Sequence, residues 1–180
     1  LAGGNPGHDC HSQDFVINGI RSVYTFEGIL RRAIHAFKYD NLRTLSRPLS
    51  LSMAEYLNTG AIAFEVLVPV PLHASRLKQR GYNQSLLLAK EVGRLCGVAV
   101  ETQWLQRRIN TPPQAKTRNT RERYQHMQGA FTCHAADLTG RKILLIDDVA
   151  TTGATLNACA VALRQAHADS VWGLTLAREI

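Results

Sequence analysis

Ile143-Leu144-Leu145-Ile146-Asp147-Asp148-Val149-Ala150-Thr151-Thr152-Gly153-Ala154-Thr155 is the stretch that decides the fold. The apolar run Ile143 to Ile146 is what a strand buried on both faces requires. Two carboxylates follow, then a turn of hydroxyls and one glycine, then a helical pattern from Gly153 to Ala166. In open parallel sheets, ligands collect beyond the carboxyl ends of strands, and Asp147 and Asp148 fall at such an end. The turn and the start of the next helix present unpaired backbone N–H groups on the same side, and these attract a phosphate. The helix dipole adds about 0.3–2 kcal/mol for an anion placed there. Thr151, Thr152 and Thr155 supply hydroxyl donors, Ala150 and Ala154 complete the turn, and Gly153 permits close backbone approach. Diol-binding carboxylates beside a phosphate cradle describe recognition of a ribose 5-phosphate.

Three other readings compete for this stretch. A strand ending in two aspartates is also a Walker B pattern, but no GxxxxGK[ST] occurs in the chain. Receiver domains also end a strand in acids, but too few residues follow Asp148 to complete one. The third is a helix capped by Thr or Asp with no ligand. The acidic pair and the Thr-Thr-Gly-x-Thr turn occurring together favour the sugar-phosphate reading.

Outward from the motif, strands and helices alternate. The pattern predicts strands at Val23–Phe26, Val66–Val68, Val98–Val100 and Val171–Leu176, with helices at Gly28–Tyr39, Thr44–Asn58 and Asn83–Cys96. That alternation argues for an α/β domain with a mainly parallel sheet covered on both sides. Residues 107–120 are strongly polar and read as a long functional loop, followed by a helical turn at Arg121–Met127. Residues 1–19 are rich in Gly, Asn, His and Asp and read as a linker, and residues 20–180 as the folded domain.

Lys and Arg total 21 against 14 acids, a net charge of +7. Either this is a solvated basic surface, or the partner is anionic: a phosphorylated metabolite, a nucleic acid, or both. The basic residues concentrate around 76–80 and 107–123, which suits local anion sites better than a basic tail. No apolar run is long enough to span a membrane, and no secretory signal opens the chain, so a cytoplasmic protein with no membrane insertion is expected. Cys96 and Cys159 fall in apolar helical patterns and read as core thiols. Cys10, flanked by His8 and His11, is too crowded to surround one zinc ion, so no zinc site is expected here.

The motif resembles the phosphoribosyl pyrophosphate (PRPP) signature of type I phosphoribosyltransferases. A second resemblance is narrower. Val68-Pro69-Val70-Pro71-Leu72-His73, then Arg76, then Arg80-Gly81-Tyr82-Asn83-Gln84, is similar to the ComF/GntX family, which is linked to competence and DNA utilisation. Phe37-Lys38-Tyr39, Thr111-Pro112-Pro113-Gln114, Arg121 and Gly129-Ala130-Phe131 fit the same family, so the likeness spans roughly residues 20–180. Members usually begin with a four-cysteine zinc module. This chain starts at Leu1 without one, and residues 1–19 are expected to be a linker or the remnant of a truncated module.

The resemblance implies a type I phosphoribosyltransferase fold, a mainly parallel sheet flanked by helices with a small hood. PRPP would set its 5-phosphate on Ala150, Thr151, Thr152, Gly153, Ala154 and Thr155, with Asp147 and Asp148 at the ribose hydroxyls and beside a magnesium ion. Leu72, His73, Ala74 and Ser75, with Arg76 and Arg80, match the family's pyrophosphate loop, and Arg107, Arg108 and Lys116 belong to a flexible loop that closes over the site. Two functions are then open: transfer of phosphoribose to an acceptor with release of pyrophosphate, or single-stranded-DNA binding in competence, non-catalytic or regulated by PRPP. The second would bring competence-machinery proteins as partners.

Overall fold

A computed structural model describes residues 15–110 and 129–179. Its central sheet has five parallel strands in the order β1 (Gly19–Thr25), β7 (Ser170–Arg178), β6 (Lys142–Ala150), β2 (Val66–Pro69) and β3 (Ala99–Val100). β6 is central because its side chains are apolar in both directions. Ile143 and Leu145 enter one core cluster and Leu144 and Ile146 the other, and all four are fully buried. The mainly parallel α/β architecture expected from the alternation of patterns is therefore the one the chain adopts.

One face is covered by α1 (Gly28–Tyr39), α2 (Ser46–Leu57) and α4 (Gln84–Cys96). Ile34 and Phe37 of α1, Met53 and Leu57 of α2, and Leu88 and Val92 of α4 meet Leu144 and Ile146 there. Pro48 falls in the first turn of α2, where its missing N–H costs nothing. The opposite face is covered by α5 (Ala154–Gln165), whose Cys159 and Leu163 are fully buried, while Cys96 is only half-buried. Packed beside α5 is a separate antiparallel pair, β4 (Leu105–Arg107) with β5 (Phe131–Cys133).

Three expectations are corrected here. The first strand begins at Gly19 rather than Val23, because its pairing with β7 starts at Gly19 opposite Trp172. Ala74, Ser75, Arg76 and Arg80, read as loop, lie in a short helix, α3 (Ala74–Arg80). His73 caps it, its Nδ1 accepting the Ser75 N–H at 3.3 Å, and Gly81 ends it in the left-handed region at φ 79°. Arg107 is a strand residue rather than a loop residue, and the Arg108 N–H continues the pairing by donating to the Ala130 carbonyl at 2.8 Å. Lys116 and the rest of that polar loop from residue 111 on, the Arg121–Met127 turn and the Cys10 region lie outside the described residues.

Candidate functional site

The site begins where the sheet becomes lopsided. β2 pairs with β6 only as far as Pro69 opposite Ile146, whereas β7 follows β6 to Ala150. Beyond Ile146, β6 has lost its neighbour on one side. The Asp148 N–H donates instead to Asp147 Oδ1 at 2.9 Å, and Ser85 Oγ, from the first turn of α4, donates to the same oxygen at 2.7 Å. Buried donors need partners, and one carboxylate oxygen here serves two.

The two aspartates are held differently. Asp148 is 6% exposed and pairs with Lys38 at the end of α1, Nζ to Oδ1 2.9 Å. Asp147 keeps part of its surface open to a cleft of about 930 Å³. Burial of its carboxyl, and then the charge of Asp148, push its pKa up to about 6, against the opposing pull of the Ser85 hydroxyl and Lys38.

From Ala150 the chain turns over Thr151 and Thr152 into α5. Gly153 stands at the turn with φ 79°, and a Cβ there would lie 2.6 Å from Ile20 Cδ1. Backbone conformation favours glycine here, and any Cβ would also have to displace the end of the Ile20 side chain. It offers no side chain to cap α5, and the first-turn residues Ala154, Thr155 and Leu156 line the cleft. The turn is anchored from both sides. The Glu179 N–H donates to the Ala150 carbonyl at 2.9 Å, and Asn157 Oδ1 accepts the Val16 N–H at 2.8 Å.

The facing wall is α1. Its Arg31, Arg32, His35, Lys38 and Tyr39 line the same cleft. This wall is tied to the acid pair by the segment Arg80–Ser85. The Tyr82 hydroxyl donates in a short bond to the Phe37 carbonyl, and Gln84 Nε2 donates to that oxygen at 3.4 Å. Arg80 donates to Gln84 Oε1 at 2.8 Å while its guanidinium lies 5.1 Å from the centre of the Tyr39 ring. Arg43 stacks on the Tyr82 ring at 4.7 Å. Asn83 caps α4 by accepting the Ser85 N–H at 3.0 Å and donates from Nδ2 to the Val70 carbonyl at 3.0 Å. One short segment thus fixes the last turn of α1, the end of β2 and the Asp147 carboxylate.

Of the residues anticipated from sequence, Asp147, Ala150, Thr151, Thr152, Gly153, Ala154 and Thr155 come together along the cleft. Asp148 faces Lys38. Leu72, His73, Ala74, Ser75, Arg76, Arg80, Arg107 and Arg108 do not line it. Arg76, Arg80 and Arg107 lie within electrostatic reach of one another: burial and then Arg80 push the Arg76 pKa down, and burial and then Arg76 push that of Arg107 down against the pull of Asp147. Sequence reasoning missed Ser85 and the cleft-facing role of Arg31, Arg32 and His35. No local pattern marks a side chain that becomes functional only through a contact distant in sequence. Lys38 was legible only as a piece of a family-like tripeptide.

No family profile matches the chain. It is 33% identical over 153 residues to Competence protein F of Haemophilus influenzae, covering 80% of this chain and 66% of that protein. Competence protein ComFC of Bacillus subtilis is 31% identical over 163 residues, covering 88% of this chain and 63% of that one. The DNA utilization protein YhgH of Escherichia coli is 31% identical over 156 residues, covering 78% and 64%. Among solved structures, a purine phosphoribosyltransferase from Pyrococcus horikoshii is similar with TM-score 0.46 and 17% identity, covering 73% of this chain and 70% of that one. The chain spans about two thirds of the length of the curated relatives it matches. With a similarity that runs through most of its length, the chain belongs to the ComF family of competence and DNA-utilisation proteins.

Proposed function

We propose that this chain binds PRPP and transfers its phosphoribosyl group to an acceptor, releasing pyrophosphate. The observation that carries the reading is one cleft in which the Asp147 carboxylate and the Ala150–Thr155 turn lie together. The 5-phosphate sits on the turn, where backbone amides, threonine side chains and the start of α5 converge. Asp147 accepts from the ribose hydroxyls, with Ser85 fixing its orientation. The C1–oxygen bond to pyrophosphate breaks as the bond from the acceptor nitrogen to C1 forms, and the electron pair leaves with the pyrophosphate. The transition state is oxocarbenium-like at C1, so positioning and stabilisation of the departing anion supply the acceleration.

Among the described residues, no three His, Cys, Asp or Glu side chains gather to hold a metal ion. The Asp147 carboxylate in the cleft fits a magnesium ion carried mainly by substrate and water oxygens. Bound that way, the ion would neutralise pyrophosphate charge. Incubation with PRPP, magnesium chloride and a panel of nitrogenous bases should release pyrophosphate. Absence of both pyrophosphate release and a calorimetric PRPP-binding signal would remove the proposal.

A second reading has its own support in the relatives named for competence and DNA utilisation and in the net charge of +7. In it, the chain binds single-stranded DNA, with or without regulation by PRPP, and works beside competence-machinery proteins. Exposed Arg31, Arg32 and Tyr39 on α1 would meet the strand. Titration with oligonucleotides at two salt concentrations should show binding that weakens steeply with salt. No binding at low salt would eliminate it. Among the described residues, no helix is long and apolar enough to cross a membrane.

A further inference from the structure

Lys38 belongs to α1, far in sequence from the motif, yet it is the side chain through which Asp148 meets the cleft. Its side chain is 21% exposed against 9% for Asp148, so the lysine, rather than the carboxylate behind it, presents to the cavity. An ammonium has three N–H donors, and Asp148 takes one. Across the cleft stands the Ala150–Thr155 turn. The acid pair therefore offers a ligand one carboxylate, Asp147, and, through Lys38, one ammonium, rather than two carboxylates.

The Arg80–Ser85 segment makes this arrangement rigid. Tyr82 and Gln84 both donate to the carbonyl of Phe37, the residue before Lys38, and Ser85 holds Asp147. Two separate family-like sequence pieces, Phe37-Lys38-Tyr39 and Arg80–Gln84, thus converge on the placement of one cation. A buried carboxylate requires a counter-charge, and that alone would explain an ion pair. It does not explain a counter-ion that stays open to the cavity and whose backbone is pinned by two further donors.

We infer that Lys38 is a ligand-binding residue of this cleft, its ammonium held by Asp148 and taking a phosphate oxygen of PRPP. This rests on the PRPP reading above and adds to it a cation outside the signature motif. Lys fits the role as a compact point charge with rotatable donors. Arg31 and Arg32, which line the same cleft, are more exposed than Lys38.

The test is calorimetric titration of the full chain with PRPP and magnesium chloride, for the wild type and for Lys38→Met, Lys38→Gln and Lys38→Arg. Loss of a charge-assisted bond predicts affinity about tenfold to a hundredfold weaker in K38M and K38Q, with K38R recovering most of it. Parallel titrations with ribose 5-phosphate and with inorganic pyrophosphate tell which phosphate the lysine takes, because only that arm weakens in K38Q. A second measurement needs no variant: Lys38 acetylation in the wild type, followed by mass spectrometry, should slow when PRPP and magnesium are added, while exposed Lys90 stays unchanged. Wild-type affinity in folded K38M or K38Q, or undiminished Lys38 acetylation in protein shown to bind PRPP, overturns the inference and leaves the PRPP reading standing. A wild type with no affinity for PRPP overturns both.

Discussion

The two walls of the cleft are built on opposite principles. The β6–α5 wall comes from one continuous segment, running from Asp147 near the end of β6 through the Thr151–Gly153 turn to Thr155 in the first turn of α5. The α1 wall is hung from elsewhere: its last turn is fixed by Tyr82 and Gln84, and its lysine is paired with an aspartate on β6. A contiguous wall keeps its geometry through local backbone conformation. A hung wall keeps it through side-chain bonds that can be removed singly. The first should therefore fail by strain and the second by loosening.

The largest effect is expected at Asp147. Asp147→Asn should weaken PRPP binding by about a hundredfold, since a charge-assisted hydrogen bond to the ligand is lost. The same change should raise the melting temperature at neutral pH. In the folded chain this carboxyl holds its proton up to about pH 6, above the ordinary value of 3.8. The folded state then binds the proton more tightly than the unfolded chain, so this group adds stability as pH falls from about 7 towards about 4 and removes it as pH rises again. Asparagine abolishes that slope, and thermal melts of both proteins across the pH range would show it. Equal slopes would refute the assignment.

Gly153→Ala tests the contiguous wall by strain. The left-handed backbone costs an alanine about 1 kcal/mol, and contact with Ile20 adds to it, so a drop of several degrees, about 2–4 °C per kcal/mol, is expected in a thermal melt. PRPP affinity should fall with it, because the turn itself must shift. Tyr82→Phe tests the hung wall. It keeps the ring and removes the donor, leaving the Phe37 carbonyl to Gln84 alone, for about 1 kcal/mol of stability. Affinity is the sharper readout here: PRPP binding should weaken severalfold while the fold persists.

The smallest effect is expected at His73. His73→Ala removes the cap of α3 and should cost about 0.5–1 kcal/mol, with PRPP affinity nearly unchanged because His73 does not line the cleft. A marked loss of affinity would instead place the cap of α3 against the ligand, and would support a pyrophosphate-binding role for Leu72–Arg76 and Arg80.

Legibility followed the same division. Ile143–Ile146 declared a central strand because four apolar residues in a row leave no polar face. The turn was readable because every group that shapes it is a neighbour in sequence. Gly97, at φ 68°, ends α4 where a glycine after an apolar helical pattern predicts. By contrast, α3 was hidden because a seven-residue helix has too few turns to show a period, and its polar residues resemble a loop. β4 and β5 are three residues each, below the length at which alternation can be recognised. Ser85 and Lys38 gave no local sign of meeting Asp147 and Asp148, since those contacts exist only once α4 and α1 have docked on the sheet.

The dependence of α1 on a single carbonyl has one more consequence. This helix buries only Ile34 and Phe37, and its final turn is hooked on the oxygen of Phe37. Backbone amides there should trade hydrogen for deuterium well before those of β6 and β7, whose strands lie deep in the sheet. The molecule would thus come apart from its cationic side first, releasing its contents while the acidic strand is still intact.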